Sequence, residues 1–507
     1  MVLFRLAHNR RPLARYAHNL ASLRTPKGHV QVPTGLFIGN EFVRSRQGSV
    51  LPVINPATEE SMLQVEAAQE EDVNDAVQAA TDALDGLWSK LKPSERARLL
   101  FNLSELIQDH AQELACLESL DSGKPFHTVM ESDLGDTLDC FRYFAGWADK
   151  IQGRSGGPYD NAYTTYTRHE PIGVIGAIIP WNYPLMMMAW KLGPSLACGN
   201  TVVIKPSEHT ALSALKLGEL IRKAGFPSGV VNIVPGLGAS AGRVISHHPH
   251  IAKVTFTGST KSGKNIIRAS ADPIKKLSLE LGGKSPHIVF ADAKLDEAVE
   301  WAFQGVFANA GQSCSAGSRI YVQSSVHDEF LSKLIKRVKS VVLGCPFEPK
   351  TTQGPQISEA QMKSILNHIE RAQKQGAKIE TGGRRRQGVG YYMEPTVLSG
   401  CRQDMDIVHE EVFGPVVSVS SFGTLEEAIR LANDTQYGLG SGVHTQSIST
   451  AMACIDKIKA GNVWVNCYDV LQTGTCFGGF KQSGIGKELG EYALADYTNI
   501  KQVVIKT

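Results

Sequence analysis

The first forty residues contain no aspartate and no glutamate, yet they carry Arg5, Arg10, Arg11, Arg15, Arg24 and Lys27. With Leu3, Phe4, Leu6, Leu13 and Tyr16 interleaved, this start reads as an organellar transit peptide, because a basic amphipathic helix suits import driven by a negative-inside potential. The alternative is a disordered basic tail. A secretory signal is disfavoured, since no uninterrupted apolar region follows the basic residues. The expectation is a mitochondrial matrix protein whose leader, residues 1–30, is disordered or cleaved.

Other absences narrow the class. Nine cysteines are scattered along 507 residues with no CxxC pair and no Cys/His cluster at zinc spacing, so no metal is expected. His247-His248-Pro249-His250 reads as a polar loop, and disulfides are not expected in a reducing compartment. Outside the six leader cations, 46 basic residues stand against 50 acidic ones, which gives no reason to expect nucleic-acid binding. The apolar stretch Ile172–Trp190 has the length of a membrane span but holds Gly173, Gly176, Pro180, Asn182 and Pro184. A buried strand, an irregular turn and a core helix explain it better than a span. No repeats or low-complexity segments occur.

What is present is a soluble, globular composition, 42% hydrophobic and 20% charged, long enough for two or three domains. Helical spacing covers 70–90, 94–122 and about 126–150, and Tyr and Thr then alternate over 159–168 as in an exposed strand. Strand patterns at 201–205, 230–234 and 253–256 alternate with helices at 209–225, 239–247 and from about 260, the βαβαβ succession of a nucleotide-binding parallel sheet. The same alternation restarts near 281, with strands at 286–290 and 319–323 and helices at 295–309 and 326–342.

Several motifs carry chemistry. Phe256-Thr257-Gly258-Ser259-Thr260 joins a strand to a helix, where backbone N–H groups can hold a pyrophosphate or simply form a glycine turn. Pro180-Trp181-Asn182-Tyr183-Pro184 fixes a side-chain amide between prolines, as an oxyanion donor or a capped turn. Lys205-Pro206-Ser207-Glu208 ends a strand at the face where α/β sheets bind ligands; Glu208 suits an adenosine ribose or a local salt bridge. Glu410-Glu411-Val412-Phe413 sets a carboxylate two residues before an aromatic. Cys314 lies among small residues in Asn309-Ala310-Gly311-Gln312-Ser313-Cys314-Ser315, and Glu280 precedes Leu281-Gly282-Gly283. A thiol with a separate carboxylate supplies a nucleophile and a base for acyl chemistry.

In this order, and together with Asn466-Cys467 and Cys476-Phe477-Gly478-Gly479, these stretches resemble the aldehyde dehydrogenase superfamily. The likeness runs from about residue 35 to the C-terminus and is greatest to the class 1/2 NAD-dependent enzymes, given Val463–Val470 and the segment 486–492. The resemblance implies an α/β fold in three parts. A Rossmann-like NAD-binding domain takes 31–150 and 170–280, a catalytic domain 281–482, and a β oligomerisation arm 151–169 and 483–507. It further implies a homotetramer built as a dimer of dimers, acting on a small-molecule aldehyde without nucleic acid or membrane.

Implied roles follow. Cys314 is the nucleophile, Asn182 the oxyanion donor, and Glu280 the base that hydrolyses the thioester. Trp181, Lys205, Glu208, Gly258, Ser259, Glu411 and Phe413 bind NAD, and Glu488 relays protons. Tyr183, Met187, Trp190, Phe307, Asp469, Leu471 and Phe477 line the substrate tunnel, with Met186 beside them. The sequence departs from the family at Cys476 (usually proline), Ser313 (often Cys in class 2), Ala308 (often aromatic) and Tyr183 (commonly Phe). These sit at the substrate mouth and bear on specificity rather than on the chemistry; aliphatic or other apolar aldehydes are the first expectation, with amino-aldehydes or retinal as alternatives. A cysteine hydrolase would have no use for the βαβ half, and a catalytically retired structural relative would not need to keep Cys314, Glu280 and Asn182 together.

Overall fold

The computed structural model describes residues 20–156 and 162–506. An eight-stranded sheet is formed by Gly484–Ile485, Lys276–Glu280, Lys253–Thr257, Val174–Ile178, Thr201–Lys205, Val231–Ile233, Leu36–Ile38 and Glu41–Val43, in that spatial order. The five central strands are parallel and, apart from Lys276 and Leu277, buried, which is why Val174–Ile178 and Thr201–Lys205 read as near-continuous apolar runs rather than alternating ones. Numbered along the chain, those five lie in the order 5-4-1-2-3, the Rossmann order. The direction of winding therefore reverses between Val174–Ile178 and Lys253–Thr257. Ligands bind beyond the carboxyl ends of the strands at such a point.

Ile172–Trp190 is resolved as expected by its breakers: strand Val174–Ile178, an irregular turn, then helix Pro184–Ala197 with proline at its first turn. Among the described residues no helix is long and apolar enough to cross a membrane. A second sheet runs Lys378–Thr381, Thr396–Ser399, Val416–Phe422, Arg319–Gln323, Pro286–Val289, Gly440–His444, Asn462–Val465, antiparallel only at its first pair. Its helix Leu295–Phe307 leads directly into the segment that carries Cys314.

Two expectations are corrected here. Residues 20–30 are not leader-like: Leu20–Thr25 and Gly28–Pro33 pair as a hairpin, and Leu23, Val30 and Val32 are buried against the helical core around Cys116. The Pro26-Lys27-Gly28 turn and the alternating Val30-Gln31-Val32 explain the strands. The rest of the expected transit peptide lies outside the described residues. The arm is also narrower than 151–169 with 483–507. Tyr163–Pro171 and Thr498–Lys506 pair antiparallel over nine positions, whereas Gly484–Ile485 is an edge strand of the first sheet beside Lys276–Glu280. The part of the Tyr/Thr strand at 159–161 lies outside the described residues.

Candidate active site

Both sheets deliver their strand ends to one cavity of 660 Å³. From the first sheet come Trp181, Asn182 and Tyr183 after Val174–Ile178, Gly258 and Ser259 after Lys253–Thr257, and Glu280 at the end of its strand. The second domain contributes Ser313, Cys314 and Ser315, the Glu411–Phe413 segment and Tyr468–Leu471. Met186, Met187 and Trp190 of helix Pro184–Ala197 and Phe477 complete the apolar wall.

Cys314 is half-buried and faces Glu280, a carboxyl that is itself buried and whose Oε1 has no hydrogen-bond partner. Burial raises Glu280 to about 8, and Lys191 and the thiol pull against that rise. The thiol is driven well above its usual range, by burial first and then by the Glu280 and Asp469 carboxylates. Both groups thus favour their protonated forms near neutrality, and Glu280, once deprotonated, is a proton acceptor within reach of the thiol. Gly283 is required beside them, because a β-carbon there would lie 2.3 Å from the Cys314 carbonyl oxygen.

Asn182 is locked in place. Its Nδ2 donates to the Gln312 carbonyl at 3.0 Å, and its own carbonyl accepts from Asn309 Nδ2 at 2.9 Å. One amide hydrogen is thus used to brace the Cys314 segment, and the second is left to donate into the cavity. Asn309 and Ala310 hold positive φ angles of 48° and 55°. Gly311, at φ 72°, passes so close to the Gly414 carbonyl that a β-carbon would come within 2.1 Å.

Toward the first sheet the cavity suits a dinucleotide. Gly258 and Ser259 open helix Thr260–Ala269, with Ser259 Oγ capping Ser262 N at 3.2 Å. Thr257 Oγ1 lines this end, buried and without a partner. The Trp181 and Phe413 rings meet edge to face with centroids 5.2 Å apart. Glu411 Oε1 accepts from Gly283 N at 2.9 Å, and burial raises this carboxyl to about 7. Lys205 and Glu208 stand at the end of the neighbouring strand but outside the cavity lining. Lys205 Nζ donates to the Gly236 carbonyl at 2.7 Å and to Glu208 at 3.3 Å.

Of the expected tunnel residues, Tyr183, Met187, Trp190, Asp469, Leu471 and Phe477 line the cavity, and Trp190 packs edge-on against Phe477 at 5.3 Å. Phe307 does not. As the last residue of its helix it turns into the core beside Val299, Ala302 and Val306, while Ala308, Gln304 and Trp301 face the cavity instead. Glu488 lies behind the wall, bridged to Phe477 by two backbone hydrogen bonds of 2.7 and 2.8 Å and ion-paired with the fully buried Lys191. Lys191 was not anticipated, although it is the single charged residue in the helix Pro184–Ala197. Asp136 and Tyr468 were missed as well. Asp136 lies half-buried in helix Leu134–Trp147, read from the sequence only as a helical stretch, and Tyr468 follows a strand end.

Residues 42–503 match the aldehyde dehydrogenase family. The chain is 49% identical over 491 residues to aldehyde dehydrogenase 1A1 of Oryctolagus cuniculus, covering 96% of this chain and 99% of that protein. It is 49% identical over 492 residues to retinal dehydrogenase 2 of Homo sapiens, covering 96% and 95%. The NAD+ complex of an aldehyde dehydrogenase from Bacillus cereus superposes with a TM-score of 0.92 at 48% identity, over 93% of this chain and 96% of that one. The chain belongs to the aldehyde dehydrogenase family and is an NAD-dependent enzyme that oxidises aldehydes.

Proposed function

We propose that Cys314 attacks the aldehyde carbon while its proton passes to Glu280, giving a thiohemiacetal whose oxyanion is held by Asn182 Nδ2 and the Cys314 backbone N–H. The observation that carries this reading is the facing Cys314–Glu280 pair, braced by Asn182, in a cavity that also reaches the sheet's switch point. NAD, when bound, accepts hydride. Glu411 and Phe413 suit its nicotinamide end, Trp181, Gly258 and Ser259 its diphosphate, and Lys205 and Glu208 the adenosine ribose. Glu280 gives up the thiol's proton and then takes one from water, whose oxygen adds to the thioester carbon; collapse releases the carboxylic acid and a thiolate that recovers this second proton from Glu280. Lys191 and Glu488, buried behind it, are placed to pass on the first proton, the one taken from the thiol. Cysteine suits both halves of the cycle, since sulfur attacks well near neutral pH and leaves well from a thioester. Pre-steady-state kinetics test the scheme: Glu280→Gln retains the NADH burst but turns over slowly, and Cys314→Ala abolishes it. A burst in Cys314→Ala, or normal turnover in Glu280→Gln, rejects it.

Aliphatic and other apolar aldehydes fit the Met187, Trp190, Leu471 and Phe477 wall. A second substrate reading is favoured by Asp136 and Asp469. Besides Glu280 and Glu411, these two aspartates line the cavity, no lysine or arginine does so among the described residues, and Asp469 Oδ1 is buried without a partner. Aromatic walls with carboxylates suit an amino- or trimethylammonio-aldehyde and repel an aldehyde that bears a carboxylate. A kinetic panel of acetaldehyde, hexanal, retinal, betaine aldehyde and succinic semialdehyde, repeated on Asp136→Asn and Asp469→Asn, decides between them. The cationic reading requires betaine aldehyde to lose the most kcat/KM in both variants.

The acid-free, arginine-bearing first residues support a mitochondrial matrix location, which organelle fractionation with N-terminal sequencing tests. The exposed Tyr163–Pro171/Thr498–Lys506 ribbon, with Ile500, Val504 and Ile505 uncovered, supports assembly as a homotetramer, because such edges are normally covered. Light scattering of the purified chain tests that.

A further inference from the structure

Tyr468 follows strand Asn462–Val465, and its ring fills a slot made by three glycines. A β-carbon would lie 2.5 Å from the ring at Gly442, 2.6 Å at Gly305 and 3.0 Å at Gly317. Gly442 lies in a central strand of the second sheet, Gly305 in the helix before the nucleophile segment, and Gly317 just after it. On its two sides the ring meets Trp464, with centroids 5.1 Å apart, and His287, at 4.9 Å and nearly parallel. Such close packing leaves the ring no alternative position.

The hydroxyl is thereby fixed, and it donates to the Ser315 carbonyl at 2.6 Å. Asp469, the next residue, has φ 53°, a conformation that is uncommon away from glycine. In that conformation its Oδ2 accepts from Ser315 Oγ at 3.0 Å. One dipeptide thus grips Ser315 through both its main-chain oxygen and its side chain. On the other side of Cys314, the Gln312 carbonyl is held by Asn182 and Asn309. Between these two anchors the chain has neither helix nor strand to support it.

We propose that Tyr468 and Asp469 are positioning residues, a clamp on Ser315 that keeps the Cys314 sulfur aimed between Asn182 and Glu280. The proposal rests on Cys314 being the nucleophile. Without the hydroxyl, a buried carbonyl loses its donor and the segment turns to find another. Displacements of well under an ångström at a reacting atom are costly in rate.

The test uses the full-length enzyme with NAD. Tyr468→Phe keeps the ring, so the melting temperature and the KM for NAD stay near wild type. The NADH burst slows about tenfold, and alkylation of Cys314 by iodoacetamide slows across its pH profile. Compared with Tyr468→Ala, phenylalanine restores the fold but not the burst rate. Ser315→Ala, which removes the hydroxyl's links to Asp469 and Ser313 but leaves the Tyr468 bond to the main chain, slows the burst by about threefold. Wild-type burst and alkylation rates in Tyr468→Phe overturn the clamp; if that variant fails to fold, a wild-type burst in Ser315→Ala does so. Cys314→Ala, run alongside, keeps the two readings apart: a burst surviving there removes the nucleophile itself.

Discussion

A β-carbon on Gly282 would stand 2.2 Å from Oε2 of Glu411 and 2.8 Å from its Cδ. The glycine is therefore what allows this carboxylate to fold over the Gly282-Gly283 turn and accept from Gly283 N. Gly282→Ala pushes Glu411 off that perch. The expected result is a several-fold rise in the KM for NAD, on the order of the 1–3 kcal/mol cost of leaving a buried polar group unpaired. Burst amplitude at saturating NAD remains near one per active chain. An unchanged KM for NAD would show that Glu411 does not touch the cofactor.

Glu280 is raised to about 8, chiefly by burial, and a general base works only when deprotonated. Turnover limited by thioester hydrolysis therefore climbs with pH through about 8. The same shift has a consequence for stability. The folded state holds a proton that the unfolded chain releases near 4.5, so the contribution is fully present below 4.5 and is lost as pH rises through about 8. Glu280→Gln has no such titration, so its melting temperature gains on wild type between pH 5 and 9. A constant difference across that range counts against a raised Glu280.

Lys191 and Glu488 act on Glu280 in opposite directions, the lysine lowering it and Glu488 raising it. Lys191→Met is expected to move the steady-state pH profile to higher pH, and Glu488→Gln to lower pH. Removing the lysine also leaves a buried carboxylate without its partner, which typically costs 3–5 kcal/mol. Thermal unfolding with pH-rate profiles of both variants checks this, and shifts in the same direction would mean the pair does not tune Glu280.

The parts of this site that were legible in the sequence are those where backbone and side chain act over a few residues. Gly282-Gly283 after Glu280, and the small residues around Cys314, announce close approaches, and the contacts found there are with Glu411 and the Cys314 carbonyl. The alternation from 201 to 280 was enough to expect a parallel nucleotide-binding sheet, whereas the switch point beside Val174–Ile178 emerges only with the strand order. Illegible features depend on long-range pairing. Residues 20–30 share the acid-free composition of the expected leader, and their short turn and alternation gain meaning only when the hairpin is seen buried against Leu114–Cys116. Lys191 looks like a stray charge in an apolar helix until Glu488, 297 residues later, is brought against it.

Phe307 and Ala308 show how one residue of helix length decides a substrate wall. The helix ends at Phe307, whose ring packs 5.4 Å from Phe303 in the core, and the kinked turn that follows presents Ala308 to the cavity. Phe307→Ala is therefore expected to lose about 3–5 kcal/mol of stability while leaving the ratio of kcat/KM for hexanal and acetaldehyde nearly unchanged. Ala308→Phe does the reverse. It keeps the melting temperature and fills the mouth of the cavity, so that retinal and other bulky aldehydes lose activity by about tenfold or more, the penalty of a clash worth 1–3 kcal/mol. Acetaldehyde, small enough to pass, loses little. If Phe307→Ala altered chain-length preference and Ala308→Phe did not, the helix would have to end a residue earlier, with Phe307 in the wall.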